Sequence, residues 1–377
     1  MEKFKNIDII IVKNNLKNKI IELINKDEGL NNIKIMSLEE LKTKYYFCYD
    51  EQAIYYLMTK YNYQIDVAKM YLSNLYRVGT NDYNSEKIKK IINLKEELEE
   101  NKLLTYNDNF KNYLKKKTIM IYNYFNLSKI ESKLIDELKK DNQVLIYNDD
   151  LLEYSHECIY MADTLEEEIN FVASDIVSKI NSGIDINSIK ICGVTGEYSS
   201  VIKRIFKWYN IPISINDSVI YSTKIGQDFL KNLSLGYTDV ITYLENKYKD
   251  QEDAIPIINK LIKILNKYIW INSLLDAEEL IVDELKKTKL NSLEYINEVK
   301  IINNLQEKRD DDYIYLIGFN QGEIPKCYKD EDYFNDNLKE LLGLDTTSDL
   351  NKREYQNWLY NIKNTKNLIL TSKKNSS

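Results

Sequence analysis

A chain of 377 residues with 44% hydrophobic and 29% charged side chains has the composition of a globular protein, long enough for two cores of about 150–200 residues. Its formal net charge of −7 argues against indiscriminate binding to phosphate backbones. The charge is uneven: residues 1–150 hold 25 basic and 23 acidic side chains against 27 and 36 in the remainder, so the first half is the better placed to touch nucleic acid.

Residues 7–12 (IDIIIV) form a continuous apolar run, which predicts a buried parallel strand. The segment 15–26 places Leu16, Ile20, Leu23 and Ile24 on one helical face, and IKIM at 33–36 predicts a second strand. Ser37 then opens a helix with Glu40 at the capping-box position. From about 50 to 117 the α/β rhythm gives way to a helical insertion, rich in tyrosine at its start. The rhythm returns with a strand at 118–124, a helix at 129–140 capped by Ser128, and a strand at 143–149.

A second α/β unit begins near 155. CIYMA (158–162) predicts a strand, Thr164 caps the helix that Gly183 stops, and SIKICGV (188–194) predicts the next strand. A helix at 198–209 and a short strand IPISI follow, and residues 222–300 read as a second helical insertion. The run Tyr313–Ile317 lacks polar alternation, which predicts an interior strand buried on both faces. Helices near 333–342 and from about 350 lead to a last strand, NLILTS (367–372), and a frayed tail SKKNSS. The domains expected are 1–150 and 151–377, each an α/β unit with a helical insertion; a pair of Rossmann-like domains would give the same pattern.

The absences narrow the chemistry. A phosphate-cradling loop needs glycine amides followed by Lys and Ser/Thr at a helix start, yet no Gly here precedes Lys, and the place after the first strand reads VKNNLKNK (12–19). No GxGxxG occurs, so no dinucleotide cofactor is expected. The single His156 excludes a multi-histidine metal site. Asp310, Asp311 and Asp312 read as a solvated strand entry. The four cysteines, Cys48, Cys158, Cys192 and Cys327, have no paired spacing and read as free thiols of a cytoplasmic protein. The Ile-rich run near the N-terminus is too short for a signal peptide or membrane span, so no membrane partner is expected.

Four segments in order resemble one family. TIMIYNYFNLSKIESKLIDELKKDNQVLIYND (118–149) is similar to its strand, "F-x-x-L-x-x-x-E" helix and next strand. Residues 164–215, with a helix ending in Tyr209-Asn210-Ile211-Pro212, are similar to the stretch that opens its second domain. EVKIINNLQEKRDDDYIYLIGFNQGEIP (298–325) resembles its "V-x-G-L-x-E-G-x-x-P" motif, and KREYQNWLYNIKNTKNLILTS (352–372) its last helicase motif. The family is the helicase-like AddB, RexB and RecC group of bacterial double-strand-break processing complexes.

The resemblance implies two RecA-like parallel-sheet domains of the superfamily-one helicase type, each with a helical insertion. It implies DNA and a helicase-nuclease subunit as partners in repair and recombination. The departures imply silence. The nucleotide loop is missing, Glu354 or Tyr355 stands where an active member carries an arginine (Arg353 is one step off), and Ile362-Lys363-Asn364 replaces "T-R-A". The family's nuclease motif is not found in these residues. No catalytic residue, cofactor or metal ligand is therefore expected. By carry-over, Arg309, Asn320, Gln321 and Lys326 are the DNA-contact candidates, with Gly318, Gly322, Glu323 and Pro325 shaping the loop. The alternatives are a two-Rossmann-domain transferase with an interdomain active site, and a protein-interaction scaffold.

Overall fold

The computed structural model describes residues 4–25, 32–79, 83–149, 152–156, 159–215, 218–290 and 296–374. Cys158 and the last three residues of the SKKNSS tail lie outside the described residues. The fold is α/β with two RecA-like parallel sheets, each interrupted by helices. The residues group as two compact units: Met1–Tyr46, Asn107–Ile215 and Leu293–Ser377 form one, and Phe47–Tyr106 with Asn216–Ser292 the other.

The first unit holds both sheets. Strands β1 (Ile9–Ile11), β2 (Lys34–Met36), β3 (Thr118–Tyr122) and β4 (Gln143–Tyr147) lie in the order β2-β1-β3-β4, all parallel. The interior strands are apolar throughout because helices cover both faces. Ile9, Ile11, Ile119 and Ile121 point into one core with Leu134, Ile135 and Leu138, while Ile10, Val12, Met120 and Tyr122 point into the other with Leu16, Ile20 and Ile24. Each fully buried isoleucine is worth about 1.5–3 kcal/mol relative to exposure, which fixes the register. Capping boxes at Ser37–Glu40 and Ser128–Glu131 start two of the covering helices as expected. The helix Asp108–Leu114 belongs to this unit and contributes Phe110 and Leu114 to its core, so the helical insertion stops at Tyr106.

The second sheet runs β5-β9-β8-β6-β7, again all parallel: β5 (Ile159–Ala162), β6 (Ile189–Cys192), β7 (Lys300–Ile302), β8 (Tyr313–Leu316) and β9 (Asn367–Lys373). β8 is interior as its composition requires, with Ile314, Tyr315, Leu316 and Ile317 all buried. The helices Leu165–Asn181 and Gly196–Trp208 cover one face through Ile169, Val172, Ile202 and Phe206; Trp358 and Ile362 of the helix Thr347–Lys363 cover the other. Two expectations are corrected here. The strand expected at IPISI is reduced to one bridge, Ile213 to Val299, and the neighbouring β7, hidden at the end of the second insertion, takes the sheet edge. Asp312 is not solvated: it is buried and accepts the Arg309 amide at 2.8 Å, closing the turn before β8.

The second unit joins the two insertions. Each leaves and returns through an antiparallel bridge, Cys48 with Thr105 and Val219 with Lys289. The helices Glu51–Tyr61, Ile65–Asn74 and Glu86–Glu100 of the first meet Tyr237–Lys247, Ala254–Leu265 and Glu278–Lys287 of the second. Lys69 pairs with Asp283, Lys267 reaches Glu51 at 3.1 Å and Glu284 at 3.0 Å, and Tyr55 packs edge-on to Trp270. Within the first insertion Tyr63 stacks on both Tyr61 and Tyr71. Among the described residues no helix is long and apolar enough to cross a membrane.

Candidate functional site

In an open parallel sheet, crossovers that leave in opposite directions open a crevice at the carboxyl ends of two adjacent strands. In the second sheet this point falls between β6 and β8, where Gly193 follows one strand and the loop 317–326 follows the other. Gly193 has φ +92°, and a Cβ there would stand 2.3 Å from the Ile317 carbonyl oxygen, so only glycine lets the two strand ends approach.

The loop is held from beneath by a buried carboxylate. Glu168, with no solvent exposure, accepts the Gly318 amide at 2.9 Å and the Thr371 hydroxyl at 2.6 Å on one oxygen, and the Tyr198 hydroxyl at 2.7 Å on the other. Burial, then the hydrogen bond to Glu168 and its charge, pushes the Tyr198 phenol well above its ordinary range, so it stays a donor. Gly318 and Gly322 take left-handed φ of +63° and +86°, and Ile324–Pro325 is a cis peptide.

Of the expected contact residues, the structure brings three together. Gln321 and Lys326 are exposed on the loop, and the Lys326 ammonium lies 5.2 Å from the Tyr328 ring. Asn320, on the same loop, is buried; its carbonyl accepts the amides of Glu323 and Ile324 at 3.1 Å, while its Nδ2 has no partner. Arg309 is exposed but lies before β8, at the opposite end of the strand from the loop. Gly318, Gly322 and Pro325 lie in this loop at the left-handed φ values and the cis peptide given above, and Glu323 is exposed.

A second crevice of about 380 Å³ opens at the carboxyl edge of the first sheet, and sequence reasoning did not find it. Its walls are mostly polar, with Lys19, Asn123 and Asp149 from the first sheet's elements and Gln306, Lys308 and Asn361 from the second's. Asp149 is fixed by the Tyr122 hydroxyl at 2.7 Å and the Asn123 amide at 2.8 Å. Phe125 packs on Tyr360, with ring centres 3.6 Å apart, closing one end. Gln306 Oε1 is buried without a partner. Lys19 donates to the Lys308 carbonyl at 3.4 Å, and burial, with the Lys19 charge next, pushes the Lys308 ammonium down to about 8. No signal in the sequence brings residues 19 and 308 together.

At the end of β1, where a nucleotide loop belongs, the chain makes a 3-10 turn, Asn14–Leu16, with no glycine to present successive amides. Burial lowers the affinity of Lys13 for its proton, and Glu131 and Glu354 oppose that shift. Glu354 thus sets a negative charge toward Lys13, at the end of β1. Arg353 turns away to Asp345 at 2.5 Å. Among the described residues no cluster of His, Cys, Asp or Glu is arranged to hold a metal ion. No protein-family model matches the chain, and no curated protein matches its sequence.

Proposed function

We propose that the protein is a non-hydrolysing helicase-like core that binds DNA and a partner helicase-nuclease subunit in double-strand-break repair. One observation carries the reading: beside two RecA-like sheets, each with a helical insertion, the first strand ends in Lys13, with Glu354 acting on its charge, and an Asn-Asn-Leu 3-10 turn stands in place of a phosphate cradle. Such an architecture keeps a track for nucleic acid while losing the means to couple it to ATP. The loop 318–326 is the proposed DNA contact, acting through Gln321, Lys326 and the Asn320 amide.

The test is retention of single-stranded and duplex DNA at about 50 and about 200 mM salt, with ATP turnover measured in parallel. Binding that falls steeply with salt, and no DNA-stimulated hydrolysis, are expected. Absence of DNA binding at low salt, both alone and with a co-purified partner, sinks the reading, and stimulated ATP turnover removes its non-hydrolysing part. The polar crevice favours the alternative of a transferase with its site between the sheets. Saturable binding of a nucleotide sugar, abolished by Lys308→Ala, is the outcome that would move the assignment there.

A further inference from the structure

The helix Gly196–Trp208 buries Ile202, Ile205 and Phe206 against the second sheet and turns Lys203, Arg204, Lys207 and Trp208 to solvent. Trp208 keeps 67% of its surface exposed, more than any other aromatic side chain among the described residues, and Tyr209 beside it keeps 38%. An indole left in water forgoes the burial that normally makes tryptophan a core or interface residue.

Its surroundings specify a partner. Arg204, one turn earlier, holds its guanidinium carbon 5.5 Å from the Trp208 ring centre and is itself anchored by Glu166 of the preceding helix. Lys203 and Lys207 form the neighbouring row at the same one-turn spacing. Residues 203–210 (KRIFKWYN) carry three cations and no acid in a chain of net charge −7. The result is an exposed indole with Arg204 over one side of the ring and two exposed lysines on the same helix.

We propose that this face is a stacking platform for single-stranded nucleic acid, with a base on the Trp208 indole and phosphates beside Lys203 and Lys207. Single strands are the occupant because they offer unstacked bases, whereas a duplex covers its base faces and an apolar protein surface would have to desolvate three cations. The inference rests on the reading that the chain binds DNA and adds a site to it, remote in sequence from the loop 318–326.

The experiment uses a short oligo(dT) and a duplex of equal length, with anisotropy for affinity and intrinsic tryptophan fluorescence for stacking. Trp208→Ala is expected to weaken oligo(dT) binding about tenfold and to leave the duplex unaffected. Trp208→Phe keeps most of the affinity but removes the fluorescence quench, which a merely structural tryptophan would not show. Lys203→Gln with Lys207→Gln lowers the salt slope by about 1.4. The exposed positions leave the thermal midpoint unchanged. Wild-type binding with the same quench and affinity in Trp208→Ala overturns the platform while sparing the broader reading; so does an equal loss for single strand and duplex. If the wild type binds neither, alone and with a co-purified partner, both readings fall.

Discussion

Lys308 carries a charged ammonium into a partly closed crevice, with Lys19 nearby; it donates to the Leu305 carbonyl at 3.4 Å, and Asp310 and Asp312 offset part of the burial cost. Its affinity for a proton falls to about 8 from the ordinary 10.5 because burial disfavours the charged form. Between those two values the unfolded chain holds a proton that the folded chain does not, so this group makes stability rise with pH across that window. Below about 8 both states are protonated and the full cost of holding the charge remains. Lys308→Met is therefore expected to stabilise the fold at pH 7 by about 1–2 kcal/mol, after allowance for solvent screening, and to match the wild type near pH 10.5. Urea unfolding at both pH values measures it; equal midpoints at pH 7 would show that the ammonium is solvated. The lysine was not legible as special in the sequence, where it is one of many and lies 289 residues from Lys19. The candidates of the loop 318–326 were legible because glycines and a proline after an apolar run mark a strand exit. The separation of Arg309 from them was less so: only the direction of β8 places it at the far end.

At the scale of elements, Glu168 ties its own helix, Leu165–Asn181, to three others: Thr371 of β9, the loop after β8 and Tyr198 of a second helix. The sequence shows only an acidic first turn behind Thr164, which reads as favourable placement against the helix dipole. That one of these glutamates turns inward depends on what the other elements bring to it. Glu168→Gln keeps the shape but points amide protons at donors, and is expected to cost about 2–4 kcal/mol in urea unfolding. A loss below about 0.5 kcal/mol would mean that water reaches the site and satisfies the three donors. β8 was readable for the opposite reason, since a strand buried on both faces needs no tertiary information to look apolar. β7 (Lys-Ile-Ile) was not, because three residues with an exposed lysine carry too little pattern to distinguish them from the helices before them.

At the scale of the molecule, the alternation of strands and helices was enough to expect two parallel sheets and two insertions. It could not show that the insertions build one unit, because they are separated by more than a hundred residues and joined by pairs such as Lys267 with Glu51. This partnership has a measurable consequence. Replacing residues 49–104 with a short Gly/Ser linker between the bridged Cys48 and Thr105 should speed amide exchange in Glu278–Lys287 by at least about tenfold, while β3 keeps its protection. Unchanged exchange in that helix would show that the second insertion is stable without the first.

The order of the second sheet also sets a timetable for synthesis. Among the described residues β5 pairs with β9 alone, through Ile159 with Leu370 and Ala162 with Lys373, so one strand waits for another made much later. Roughly 200 residues intervene, which at ribosomal speeds is a delay of roughly 10–40 s. Throughout it the nascent chain presents an unpaired edge bearing Ile159 and Met161, side chains that stay largely exposed even when the sheet is complete. A chaperone that holds extended apolar segments would find its moment on this chain between the emergence of β5 and the release of β9.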